Sequence, residues 1–530
     1  MKQYQVLFLA ILINFLQGQV APPEDLHINA PRTWALTNGI IHTEPGKIIP
    51  NGTVILRNGI IEAVGKKVKI PPEATIIDLD SNHVYAGFIE SWLNVDSTKK
   101  NHSLRDHWNT NMAAYNKIVD YYEPDKKSIE ELRDLGFTTA HIIPQEGIFQ
   151  GQSALVHLND QNQIVNHSVG QVIDFDFGGW RSKEYPTSLL GAIAFMRQGF
   201  YDAEWYGKAQ KIQASHPQNN ELVNEDRSLA AIWQGRQENN PFIFRTKDDL
   251  YSLRAKKIAF EFDLNLWLKG NGYEYRRINE IKSARAFIIL PINFPGKPHV
   301  AQENESLQYS TRQLKHWDIA PDNALHLSEA DIDFSLTTAD LKDKKQFRIN
   351  LEKSVIRGFD ESKALAALTI IPAEKFGESK RLGKIVPGFA ANLTIVDGNY
   401  FTEKGIVRSV WINGNLYKTK PMRAENPFGN WSVRESGRSW TLSLKKNKHG
   451  FSGELSRDSL LFDLESIVLD QDRLSFTIES DTVFQAGITR FSGTILGGTI
   501  QGKIVFADGS AAVWEGQMDS TFADTNNTKY

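Results

Sequence analysis

A (β/α)₈ barrel flanked by β-rich segments is the fold that the sequence predicts, and three observations support it. Strand patterns alternate with helix patterns from about Val84 to about Gly383, which is typical of a parallel sheet with crossover helices. Short alternating strands precede and follow this region. A further run of short strands with glycine-containing turns occupies residues 428–522. The predicted class is therefore α/β, with a composite β-sandwich from both flanks and a C-terminal all-β domain.

Length and composition limit the range of functions. The 530 residues are 41% hydrophobic and 23% charged, which is typical of a soluble protein with several cores. The net charge of -3 gives no reason to expect a nucleic acid partner. The absence of cysteine excludes disulfides, thiolate metal sites and cysteine nucleophiles. After the N-terminus no apolar run reaches about 18 residues, so no membrane span is expected.

The N-terminus has the pattern of an export signal. Lys2 precedes a mostly apolar run from Val6 to Leu16, which suits a signal peptide and is too short to span a bilayer. We therefore predict a signal peptide at residues 1–19 and a secreted or periplasmic protein. A buried N-terminal strand or helix is the alternative.

Turn residues define the flanking β segments, predicted at residues 30–88 and 385–420. Thr53–Arg57 and Ile60–Val64 are joined by Asn58-Gly59, the pair that type I′ hairpin turns favour. Because β segments lie on both sides of the barrel, we expect one composite sheet built from both of them.

Residues 89–384 are predicted to form the barrel. Ser128-Ile129-Glu130-Glu131 matches a capping box that opens a helix. A later helix, Glu361 to Thr369, is expected to stop before Pro372. The clearest strand patterns are Phe137–Ile143, Pro241–Phe244, Leu264–Leu268 and Phe334–Thr338.

The C-terminal pattern predicts a small all-β barrel or sandwich at residues 428–522. Its strands include Gly493–Ile500 and Gly502–Phe506, and Asp508-Gly509 gives the clearest turn. Residues 421–427 are the predicted linker, and residues 523–530 form a polar tail.

Three blocks of sequence follow one another along the chain. The first runs from Ala35 to Gly87-Phe88-Ile89, the second from Leu135-Gly136-Phe137-Thr138-Thr139 to Gly151-Gln152-Ser153-Ala154, and the third from Ala364 through Pro387-Gly388 to Ile395-Val396-Asp397. Together they resemble the amidohydrolase superfamily, most nearly its imidazolonepropionase-like metal-dependent hydrolases. The resemblance covers residues from about 30 to 420 and implies a distorted TIM-like barrel with a composite β-sandwich. It also implies hydrolysis of carbon–nitrogen bonds other than peptide bonds by a metal-bound hydroxide.

The metal ligands that the resemblance implies are replaced in this chain. Trp92 and Asn94 stand where the family has two histidines after its first barrel strand. Indole has no lone pair for a metal, and an amide is a poor ligand for Zn²⁺. Glu90 takes the place of the motif's aspartate, which usually supports the framework.

Later strand ends depart from the family pattern in the same way. Arg245 and Lys269 stand where further histidines are expected, and a cation repels a metal. Ala339 stands where the final strand should end in an aspartate, with Asp340 one residue late. A slip of one residue turns a strand side chain to the other face, so Asp340 is a poor substitute. The sequence therefore predicts no metal site and no cofactor, with zinc expected only if the protein is active.

One other histidine, His141, lies within a predicted barrel strand and is positioned to face the pocket. No catalytic residue is assigned from the sequence. The predicted pocket residues are Glu90, Trp92, Asn94, His141, Arg245, Lys269 and Asp340.

Three functions remain open at this point. The first is a catalytically silent homologue that binds a small molecule or peptide in a remodelled pocket. The second is an active metal-dependent amidohydrolase with non-standard ligands. The third is a companion subunit for an active amidohydrolase paralogue, with the C-terminal domain mediating assembly or surface attachment.

Overall fold

The computed structural model describes residues 33–95, 107–177, 184–218, 223–298, 308–419 and 427–521, the last range with gaps at 436, 448–449, 471–472, 481–483, 485 and 497. The predicted signal peptide, the linker up to residue 426 and the tail lie outside these residues. Within them, no helix combines the length and apolar character needed to cross a membrane.

The N-terminal β segment forms the first part of a sheet. β1, β2 and β3 are antiparallel neighbours, whereas β4 and β5 pair parallel with β1. The predicted hairpin is confirmed, because Asn58 and Gly59 turn between β2 and β3 with φ values of 50° and 80°. The strands are β1 (Thr33–Glu44), β2 (Lys47–Arg57), β3 (Ile60–Gly65), β4 (Thr75–Asp78) and β5 (His83–Ala86).

The barrel strands follow in two sheets of four and six strands. They are β6 (Phe88–Asn94), β7 (Phe137–Ile143), β8 (Phe149–Gln152), β9 (Ala154–His157), β10 (Ile164–Asn166), β11 (Gln171–Asp174), β12 (Pro241–Arg245), β13 (Asn265–Lys269), β14 (Phe287–Pro291) and β15 (Phe334–Thr337). Parallel ladders join β6 to β7, and run from β11 through β15. β8 pairs antiparallel with β11, and β9 pairs antiparallel with β7 and β10. These short strands occupy the edges of β7 and β11, so the described barrel departs from a regular ring of eight parallel strands.

Helices alternate with the parallel strands. They are α1 (Lys126–Arg133), α2 (Leu189–Ser215), α3 (Arg227–Gln237), α4 (Asp249–Phe262), α5 (Ile278–Ala284), α6 (Thr311–Ile319), α7 (Asn323–Glu329), α8 (Gln346–Ile356), α9 (Glu361–Leu368) and α10 (Ile370–Lys375). Single 3₁₀ turns occur at Ile118–Asp120, Glu274–Arg277 and Ala320–Asp322.

One helix prediction was wrong in detail, and the other was right: the helix from Glu361 does end before Pro372, at Leu368. Asp125 is the N-cap of α1, since its carboxylate accepts from the Ser128 backbone N–H, and Ser128 lies inside the helix. A carboxylate at this position also interacts favourably with the helix dipole. Pro372 does not end a helix but lies in the first turn of α10, where its missing N–H breaks no helical hydrogen bond.

Three strands after the barrel complete the first sheet. β16 (Leu393–Asp397) pairs antiparallel with β5, and β17 (Ile406–Ile412) and β18 (Asn415–Lys418) follow outward. The resulting order is β18-β17-β16-β5-β1-β2-β3, with β4 beside β1. Strands from both flanks of the barrel therefore share one sheet, with Trp411 buried in its core.

The C-terminal strands form a separate nine-stranded antiparallel sheet. The predicted strand Gly493–Ile500 was wrong, because Gly498 turns the chain with φ 71° between the strands Gly487–Leu496 and Thr499–Val505. The apolar core of this C-terminal sheet includes Trp431, Trp440 and Trp514. The strands are β19 (Gly429–Glu435), β20 (Arg438–Asn447), β21 (Gly450–Arg457), β22 (Leu460–Asp463), β23 (Glu465–Asp470), β24 (Arg473–Ser480), β25 (Gly487–Leu496), β26 (Thr499–Val505) and β27 (Ala511–Thr521).

Gly87, directly before the first barrel strand, is a position where an added side chain should destabilise the fold. A Cβ added at Gly87 would lie 2.3 Å from Oγ1 of Thr138, which is fully buried. We expect Gly87→Ala to lower the free energy of unfolding by roughly 1–3 kcal/mol, because the packed strand has no room for it. Urea denaturation measures this, with Gly296→Ala as control, since a Cβ at Gly296 meets no atom within 4 Å. Equal stability of the two variants would contradict the packing described here.

Candidate functional site

Strand register places two cations side by side at the carboxyl ends of β12 and β13. Asp174, Arg245 and Lys269 are aligned across β11, β12 and β13. Two residues earlier, Val172, Ile243 and Trp267 form an aligned row within one buried apolar cluster. Because side chains on a strand alternate with a period of two, both rows face the same side. The intervening residues belong to a different cluster on the outer side. The three polar side chains therefore form a layer at the barrel mouth, above an apolar layer.

Arg245 is held by an indole ring and an amide. Its Cζ lies 5.0 Å from the centroid of the Trp92 ring, within cation–π range. Its Nη2 donates to Oδ1 of Asn94 at 2.6 Å, and Trp92 Nε1 donates to the same oxygen at 3.0 Å. Trp92 is only 3% exposed, so its buried ring supports the guanidinium. These three residues form one connected unit.

Asp174 provides a loose counter-charge to Arg245. Its Oδ2 lies 3.7 Å from Nε of Arg245, beyond hydrogen-bond distance. Burial raises the pKa of Asp174, while the charge of Arg245 opposes that shift. Burial also lowers the pKa of Arg245, and Asp174 opposes that shift in turn. The pair therefore compensates charge without a direct hydrogen bond.

Lys269 has a closer partner at the rim of the mouth. Its Nζ forms an ion pair with Oδ2 of Asp340. The Lys269 side chain is 8% exposed and that of Asp340 is 47% exposed. Asp340 lies beyond the end of β15 in a left-handed backbone conformation, with φ 66°. The late position of this aspartate thus leads to a salt bridge with a lysine.

Glu90 joins the first and last strands of the barrel. Its Oε1 accepts from the Trp92 backbone N–H at 3.0 Å and from the Thr337 hydroxyl, and its Oε2 accepts from the Thr338 backbone N–H at 2.9 Å. The carboxyl is fully buried, and this burial raises its pKa, while the hydrogen bonds oppose the shift. Glu90 therefore has the contacts of a framework residue.

His141 lies fully buried on β7, with its ring centroid 4.7 Å from that of Phe376. Its Nδ1 lies 3.0 Å from the backbone oxygen of Ser91. Since a carbonyl oxygen only accepts, Nδ1 carries the proton and Nε2 holds a lone pair. No described residue hydrogen-bonds this Nε2. Burial lowers the pKa of His141 to about 4, so the ring is neutral at pH 7.

The residues at the mouth do not fit the zinc ion that the resemblance implies. A structural or catalytic zinc needs at least three protein ligands with free lone pairs. Within the described ranges, no group of three or more histidines, cysteines or carboxylates is arranged to hold a metal. Asp174 and Asp340, which could donate oxygen ligands, face Arg245 and Lys269 instead.

The structure thus connects most of the predicted pocket residues. Trp92, Asn94 and Arg245 share contacts, Lys269 lies beside Arg245, and Asp340 pairs with Lys269. The remaining two residues do not join this group. Glu90 hydrogen-bonds from β6 to β15, and His141 packs against Phe376 inside the barrel.

Two residues of the site were missed by sequence reasoning. Asp174 follows the short apolar run Val172-Ile173, and an acidic residue at that strand end was the available signal. Thr337 shows no distinguishing sequence signal, because its bond to Glu90 joins residues that are 247 positions apart.

The fold is a barrel with a composite sheet built from both of its flanks, and the barrel mouth contains ion pairs. Residues 325–417 match the model of the amidohydrolase family, which confirms the resemblance over those residues. A comparison with curated protein sequences gives no match.

A solved structure shares the fold: an amidohydrolase from Thermotoga maritima MSB8 is 20% identical, with a TM-score of 0.60 over 72% of this chain and 99% of that one. Two further solved structures show weaker similarity. A putative prolidase from Bifidobacterium longum is 14% identical, with a TM-score of 0.45 over 73% of this chain and 95% of that one. The A. niger ochratoxinase is 13% identical, with a TM-score of 0.44 over 73% and 96%.

The bonds of Glu90 predict a stability effect. Glu90→Gln keeps the size but leaves one oxygen for three donors, so we expect a loss of roughly 1–3 kcal/mol in the free energy of unfolding. Glu90→Ala should cost more, because no acceptor remains. Urea denaturation tests this against the exposed Glu130→Gln, expected within about 0.5 kcal/mol of the parent protein. If Glu90→Ala left the free energy of unfolding unchanged, the hydrogen bonds of Glu90 would contribute nothing to stability.

The buried histidine predicts a pH effect. Folded His141 binds a proton only near pH 4, whereas the unfolded chain binds it near pH 6.5. The unfolded state therefore holds more protons between these values, and stability falls as the pH drops from 6.5 to 4. His141 alone should contribute about 3 kcal/mol to that fall.

Urea denaturation between pH 4.5 and 7.5 measures the slope of stability against pH. Burial also lowers the pKa of His42 and His157 to about 4, so His141→Gln should reduce the slope without abolishing it. An unchanged slope in His141→Gln would contradict the assignment.

Proposed function

We propose that this protein is an exported amidohydrolase homologue without a catalytic metal, catalytically silent, that binds a small molecule or peptide at the barrel mouth. One observation carries the proposal. Arg245 and Lys269 occupy the strand ends where the family places histidine ligands, and each faces a carboxylate.

The charges at the mouth oppose metal binding. Arginine stays protonated at any physiological pH and offers no lone pair, so it excludes a metal from its position. Freeing Asp340 as a ligand would leave the buried Lys269 without its partner, and an unpaired buried charge is costly. Both effects act at the positions that a hydrolytic metal would need.

A site without a metal can still bind a small ligand. The mouth keeps polar side chains above an apolar floor, an arrangement that suits recognition of a small ligand. The proposal includes export, predicted from the N-terminal sequence, and leaves room for association with an active amidohydrolase paralogue.

An active metal-dependent amidohydrolase with non-standard ligands is the second candidate. The lone pair of His141 Nε2, buried and without a described partner, is the observation that favours it.

Metal analysis separates the two candidates. We expect protein purified without chelator to contain less than about 0.1 metal ion per chain, since a catalytic site should retain nearly one. We also expect no hydrolysis of N-acyl amino acids or cyclic amides, before or after addition of zinc. About one zinc per chain, lost in His141→Gln together with hydrolysis, would overturn the proposal in favour of the active alternative.

A further inference from the structure

We propose that the ligand of the mouth is a small monocarboxylate, bound by the guanidinium of Arg245 with Lys269 beside it. This inference rests on the proposed binding function and assigns its ligand class.

Arg245 has more hydrogen-bond donors than the protein satisfies. A guanidinium has five N–H donors. Among the described residues, the hydrogen bonds to this group comprise only the one from Nη2 to Asn94. In the described part of the chain Nε is buried without a hydrogen-bond partner, and Asp174 is too distant at 3.7 Å. Buried donors without acceptors are unfavourable, so an acceptor from outside the chain would stabilise them.

The guanidinium is also held in place before any ligand arrives. Its Cζ lies over the Trp92 ring at 5.0 Å, and Asn94 accepts a hydrogen bond from its Nη2. A fixed planar fork matches the two oxygens of a carboxylate. Because the side chain is already ordered, a ligand would lose little binding energy in ordering it.

Lys269 supplies a second cation at the same level. It lies opposite Arg245 in the parallel ladder, and neighbouring strands are about 4.8 Å apart. The side chain of its partner Asp340 is half-exposed at the rim, whereas that of Asp174 is 9% exposed. A ligand carboxylate can therefore take the place of Asp340, which returns to water at little cost. Asp174 has no comparable route to solvent.

This exchange fixes the charge of the ligand. With Asp340 displaced, Arg245, Lys269 and Asp174 leave one positive charge at the mouth, which one carboxylate neutralises. A cation would be repelled by both basic groups. The apolar row of Ile243 and Trp267 below bounds the depth of the site and favours a small ligand.

Calorimetric titration with acetate and benzoate tests the proposal, with acetamide and benzamide as neutral controls of the same shape. We expect saturable binding of the carboxylates and at least tenfold weaker binding of the amides. Arg245→Gln should weaken benzoate binding tenfold or more, and Lys269→Met should weaken it severalfold. Asp340→Asn should strengthen it severalfold, because the competing carboxylate is gone.

Matched variants separate binding from folding. Arg197→Gln removes an arginine that pairs with Glu261 on the surface, and it should bind benzoate as the parent protein does. Arg245→Lys keeps the positive charge and should bind, but more weakly than the parent protein. Thermal melting of each variant shows whether it is folded.

Three results would overturn the proposal: amides that bind as well as carboxylates, undiminished benzoate binding in folded Arg245→Gln, or sulfate that competes as well as benzoate. Metal analysis of the same preparation identifies which idea has failed. Metal-free protein that binds no carboxylate contradicts only the ligand class. Zinc-loaded protein that binds benzoate independently of Arg245 contradicts the proposed function as well.

Discussion

A single buried carboxylate connects the first and the last strand of the barrel. Glu90 on β6 accepts hydrogen bonds from the Thr337 hydroxyl and the Thr338 backbone at the end of β15. The cost of burying this group is offset only while all its donors are in place, so it fixes how the first and last strands meet. That junction determines where Trp92 and Asn94 lie, and hence where Arg245 is held.

The mouth is built from charge pairs of two different kinds. Lys269 and Asp340 form a close pair whose acidic partner is half-exposed. Arg245 and Asp174 are more buried as a pair and lie further apart, and Arg245 donates its hydrogen bond to Asn94 instead. Asp340 can turn to water only when another anion pairs with the buried Lys269, because an unpaired buried charge is costly. Asp174 is buried together with Arg245, so that pair resists separation.

Much of the fold could be predicted from local patterns. The Asn58-Gly59 hairpin was predicted because φ > 0 is required there and few residues adopt it. The parallel strands were recognised as apolar runs between helical patterns. Errors arose where two local signals competed: Asp125 displaced Ser128 as the helix cap, and Gly498 divided an apolar run into two strands.

The sequence by itself determined which residue types stand at the strand ends. It therefore also determined that histidines are absent from the positions where the resemblance implies them. Only the tertiary structure decided their partners. Asp174 meets Arg245, and Thr337 meets Glu90, because strand register and barrel closure bring distant segments together. Local sequence contains no information on such pairings, since the hydrogen bonds that select a register form between strands and depend on the whole sheet.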